Sequence, residues 1–202
     1  MRDLTRLVAK RNIYQEDHFN DQVSEIRERV AALPSAYTTG HPLTHDWVYE
    51  SCRITALIYT ASIILRVPFS MAADPVVNAD VFNTSFDHLP EASESQPLQH
   101  LSTILCETLG RCGTVHAWGN MAGVYYWICL VGAVAARTRG STDAVMVDWL
   151  QGGEDRLRSR RCFVMNAIQA MMVLILHHDV PVLVAMQTLL TIQEHIASEA
   201  SG

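Results

Sequence analysis

The chain has 202 residues, of which 49% are hydrophobic and 18% charged, and its formal net charge is −6. That size suits one well-buried core and is short for two domains. The acidic balance excludes a generally basic nucleic-acid surface, and with Lys10 the only lysine, in a polar stretch, lysine-based covalent catalysis is excluded too.

Residues 1–11 are polar and are expected to fray. From Gln15 to Leu33 the apolar residues Phe19, Val23, Ile26 and Val30 recur every three or four positions, which predicts an amphipathic helix ended by Pro34. A loop rich in Pro, Gly, Thr and Ser follows over 34–44, then a helix from about Asp46 to Val67 that Pro68 stops. Residues 68–97 hold four prolines and read as a long irregular connection. Pro97 opens a helix to Arg111, and a long helix is predicted from Ala117 to Arg139. A short helix follows Ser141 or Thr142 and stops at Gly152 and Gly153. Two more run from Asp155 to His178 and from Val180 to Glu199. No strand periodicity and no internal repeat is present, so the expected fold is all-α: one multi-helix, orthogonal or bundle-like domain over 1–202.

The cysteines Cys52, Cys106, Cys112, Cys129 and Cys162 are odd in number and without zinc-finger spacing. With no secretory leader in view, they read as reduced thiols of an intracellular protein, nuclear or cytoplasmic. The uncharged stretch Met121 to Ala136 and the run Cys162 to Leu176 fall short of the roughly 20 residues a spanning helix needs, so no membrane is expected.

Two segments carry more than helical periodicity. WVYESCRITALIYTASIILRVP covers 47–68, with Trp47, Tyr49, Glu50, Cys52, Arg53, Leu57, Ile58 and Tyr59. WGNMAGVYYWICLVGAVAARTR covers 118–139, with Trp118, Gly119, Gly123, Trp127, Leu130, Val131, Gly132 and Ala133. In order and spacing they resemble the fungal-specific transcription factor domain, the helical regulatory region of zinc binuclear-cluster regulators, over roughly 45–178. The six-cysteine cluster, linker and coiled coil of such regulators are not in this sequence. The resemblance therefore implies a regulatory domain that does not itself contact DNA. Its expected partners are a small apolar effector, a second copy, or a full-length regulator.

Several residues are candidates for chemistry. Glu50 and Arg53 lie one turn apart among apolar neighbours, so they must pair or face a cavity. His116, at the entry to the Trp-Gly helix, is a candidate acid or base. Tyr49, Trp118, Tyr125, Tyr126 and Trp127 are candidate lining for a flat apolar ligand, though an aromatic core accounts for them equally. Gly119, Gly123 and Gly132 suggest a small-residue seam. His177, His178 and Asp179 lack metal-ligand spacing, and the run Arg156 to Arg161 reads as a solvated helix start. No metal or cofactor is expected. Three functions stay open: a standalone regulatory module, a cofactor-independent cyclase, isomerase or lyase of fungal secondary metabolism, or a protein with only a scaffolding role. In the second, Glu50, Arg53 and His116 would do the chemistry, with acid-base or hydrogen-bonding help from Tyr125.

Overall fold

A computed structural model describes residues 16–78, 99–137 and 153–178, with Gln187, Leu190 and Thr191 beyond them. The predicted N-terminal fraying, most of the 68–97 connection, the short helix after Thr142 and the helix Val180 to Glu199 lie outside the described residues, as do the side chains of His177, His178 and Asp179. Among the described residues the fold is all-α, without a strand. Its helices are α1 (Glu16–Ala31), α2 (Trp47–Leu65), the single turn α3 (Phe69–Ala72), α4 (Leu101–Arg111), α5 (Ala122–Ala135) and α6 (Gly153–His178).

Helix α2 is the centre, and α1, α3, α4 and α5 pack around it. Asp46 caps its start, accepting from Tyr49 N at 3.0 Å. Arg66, left-handed at φ 53°, ends it, and its N–H reaches Ser62 O. A helix enclosed on so many sides must hide its own hydroxyls. Thr55 donates back to Ser51 O at 2.7 Å and Thr60 to Ala56 O at 2.8 Å, so these buried donors are satisfied within the helix. Helix α1 lays Val23 on the core, with Phe19 and Ile26 beside it, as the periodicity predicts.

The predicted helix Ala117 to Arg139 is corrected. Val115–Met121 is a 3-10 segment, and Gly119, at φ 50° and ψ −123°, breaks it before α5 begins at Ala122. No side chain but hydrogen adopts that backbone cheaply. The small-residue seam is corrected likewise. Only Gly132 is closely approached: a Cβ there would lie 2.6 Å from the Phe163 ring of α6. Gly119 and Gly123 have no atom within 4 Å of that position. At the other end of α5, Arg156 donates to Arg137 O at 2.8 Å, so one member of the arginine run satisfies a carbonyl just past that helix.

Three helical stretches are long and apolar enough to cross a membrane by length and composition, which corrects the sequence-based view that none is. They are Trp47–Leu65, Val115–Ala135 and Glu154–Leu176, and their apolar windows are 67%, 44% and 28% buried inside the protein. The first has largely found its partners in the core; the last has not.

Candidate functional site

The structure joins two of the three residues predicted to be catalytic. Arg53 grips Glu50 with two parallel hydrogen bonds, Nε to Oε2 at 2.9 Å and Nη2 to Oε1 at 2.7 Å. Both side chains are withdrawn from solvent. The other contacts of the carboxylate come from the loop before α2: Ser35 Oγ donates at 2.9 Å and Ala36 N at 3.0 Å. Four donors thus fill the two oxygens, in the bidentate geometry that makes an arginine–carboxylate pair strong. The chain folds this way because Ser35 and Ala36 reach the carboxylate once Pro34 has ended α1 and turned the loop inward. A carboxylate so fully engaged has no lone pair aimed at a substrate. Its position fastens loop to helix.

The rim of that loop is closed by a second cluster, which sequence reading does not single out. Tyr37 and Trp47 rings stand 5.2 Å apart, and the Arg111 guanidinium lies 4.6 Å from the Trp47 ring and 5.6 Å from the Tyr37 ring. The Tyr37 hydroxyl meets Thr108 Oγ1 at 3.2 Å, tying the loop to α4. Burial raises the Tyr37 hydroxyl above its ordinary pKa, so it stays a neutral hydrogen-bonding group. Tyr49, predicted to touch a ligand, donates to Pro34 O at 2.7 Å from the same face.

His116 does not join Glu50 and Arg53. It is exposed on the 3-10 segment, whereas the Glu50 and Arg53 side chains are buried. The aromatic residues proposed as ligand lining are mostly core. Trp118 and Tyr125 are buried and meet edge to face at 5.2 Å. Trp127 meets Tyr59 of α2 in the same way at 5.8 Å. Tyr126 is buried, and burial pushes the hydroxyls of both Tyr125 and Tyr126 up in pKa. Three cysteines from three helices gather nearby: Cys106 of α4, Cys129 of α5 and Cys162 of α6. Among the described residues no three His, Cys, Asp or Glu side chains are placed to hold a metal ion.

The surface of α6 is different. Its inner face buries Phe163, Ala167, Ala170 and Leu174 against the core. Its outer face carries Met165, Ile168, Met172 and Ile175, flanked by Val164 and Leu176, and these six side chains are between 42% and 69% exposed. Arg158 and Arg161, both exposed, continue that stripe toward the helix N-terminus, with exposed Arg160 beside it. The order 158, 161, 165, 168, 172, 175 alternates steps of three and four, the spacing of a seam along one helix face. Sequence reading sees an apolar helix here and assigns it to the interior, because periodicity alone does not distinguish two apolar faces from one. The signal that separates them is the absence of a second layer over the outer face among the described residues. No known protein family, no curated protein and no solved structure matches this chain.

Proposed function

We propose that this chain is a non-catalytic, regulatory-type helical module that binds an amphipathic helix of a protein partner along the outer face of α6. One observation carries the reading: a long run of exposed methionine and isoleucine at seam spacing on a helix whose other face is fully packed. Exposed apolar stripes of this kind mark helix-in-groove recognition, and methionine adapts to a partner's side chains. The arginines at one end of the stripe specify the chemistry of the partner. Its apolar seam runs into acidic side chains that meet Arg158, Arg160 and Arg161. Two parallel copies of α6 would set arginine against arginine, which disfavours self-pairing in that register. The resemblance of 47–68 and 118–139 to the regulatory region of zinc-cluster regulators supports the regulatory sense of the module. The closed Glu50–Arg53 pair and the exposed, separate His116 favour it over an enzyme. The module works inside the cell, in nucleus or cytoplasm, through its partner rather than on nucleic acid directly.

The direct test uses two labelled synthetic helical peptides with the same leucine seam, one ending in glutamates and one in lysines. The acidic peptide is expected to bind saturably, and Ile168→Glu with Met172→Glu to weaken it roughly 10-fold or more, the equivalent of about 1.4 kcal/mol. Equal affinity for both peptides removes the charge argument. A stable dimer in sedimentation, dissolved by the same two substitutions, assigns the face to a second copy and overturns the partner reading.

A further inference from the structure

We infer that Met165 and Met172 on the outer face of α6 form a modification site, at which a hydroperoxide converts the thioethers to sulfoxides and so releases the partner helix. The inference rests on the docking reading above and adds its regulation. Helix α6 carries three methionines, and the fold sorts them. Met171 is half-buried and packs against the core. Met165 and Met172 are 58% and 50% exposed, so in the free chain a small oxidant reaches both without any opening of the fold. Seven residues separate them, which is two turns, or about 10 Å along one face of the helix. Ile168 lies between them and Ile175 follows, so methionine and isoleucine alternate along the seam. A partner helix seated there takes both sulfurs out of water. A thioether accepts this because it is apolar and polarisable. A sulfoxide does not, because its S–O dipole loses its hydrogen bonds to water and the isoleucines beside it in the seam offer no donor.

The chemistry balances with hydrogen peroxide as oxidant. The thioether lone pair attacks one peroxide oxygen, the S–O bond forms and the O–O bond breaks. The departing hydroxide takes the proton carried by the transferred oxygen and leaves as water. Each sulfur gives up two electrons, the peroxide takes them, and each methionine gains one oxygen atom. A thioether has no proton to lose, so the step needs neither a base nor a thiolate. Methionine sulfoxide reductases, one class for each sulfoxide epimer, run the step back and restore the apolar seam.

The test treats the full-length chain with hydrogen peroxide, returns oxidised thiols to the reduced state with dithiothreitol, and measures binding of the acidic, methionine-free peptide before and after. Cleavage after arginine leaves Met121 in 112–137 and Met165, Met171 and Met172 in 162–202, where fragmentation tells the three apart. Met165 and Met172 are expected to gain oxygen roughly 5-fold faster than Met171, since the reaction follows exposure. The oxidised chain is expected to keep its helical circular dichroism and to bind the peptide roughly 10-fold more weakly, with recovery after treatment by both classes of reductase. In Met165→Leu with Met172→Leu, whatever its starting affinity, peroxide should change binding by less than about 2-fold, because leucine fills a similar volume and has no sulfur. Equal oxidation of Met171, unchanged affinity after oxidation, or an equal loss in the leucine variant would each overturn the assignment while leaving the docking reading in place. An untreated chain that does not bind the acidic peptide would instead sink the docking reading, and this switch with it.

Discussion

At the scale of single residues, four donors converge on one carboxylate: two from Arg53, one from Ser35 and the amide of Ala36. Such an arrangement is costly to break from one side, because the charge left behind has already lost its water. Glu50→Ala is expected to lower the unfolding free energy by about 3–5 kcal/mol, read from urea denaturation, and Arg53→Ala by a similar amount. The double substitution Glu50→Leu with Arg53→Met should cost clearly less than the two single losses together. Additive losses would show that the two side chains do not act as a pair. The i, i+3 spacing in an apolar helix makes the pairing itself readable from sequence. Ser35 and Ala36 are not readable, because they arrive from a loop whose path depends on the Tyr37, Trp47 and Arg111 cluster closing over it. The aromatic candidates illustrate the other limit. Residue types that line a cavity also fill a core, and only the ring contacts of Trp118 with Tyr125 and of Trp127 with Tyr59 decide between the two.

At the scale of elements, α5 carries glycines that look alike in sequence and do different things. Gly132 lets the Phe163 ring rest where a methyl group would stand, so α5 and α6 approach closely there. Gly132→Ala must displace a buried ring and is expected to destabilise by about 1–3 kcal/mol. Gly123, in the first turn of the same helix, has open space around it, and Gly123→Ala is expected to stabilise by up to about 1 kcal/mol. Thermal melts of the two variants should therefore move in opposite directions. A loss in both would mean that Gly123 is also closely approached. The helices themselves were legible in their apolar periodicity, with α1 and α2 within two residues of the predicted limits. The predicted run through Gly119 was not, since an apolar pattern continues across a kink as readily as along a straight helix. A positive φ leaves no trace in periodicity, only in the presence of a glycine.

At the scale of the whole molecule, α2 runs through the middle of a helical assembly whose half-buried thiols sit in seams between helices. Cys52 of α2 and Cys106 of α4 are moved by burial from the ordinary 9.0 to about 11 and about 12. Buried Cys129 and Tyr125 are shifted upward too, so they act in the same sense. The folded chain therefore keeps protons that the unfolded chain releases once the pH passes about 9. Folding stability from these groups is complete below that pH and falls as the pH rises toward the folded values, because the folded state is then the one that binds more protons. Under reducing conditions, the urea midpoint is expected to be lower at about pH 10.5 than at about pH 8. In the double variant Cys52→Ala with Cys106→Ala the drop over the same interval should be smaller, whatever its starting stability. A drop as large as that of the unsubstituted chain would place the alkaline sensitivity elsewhere and show that these two seams open to water before the core does.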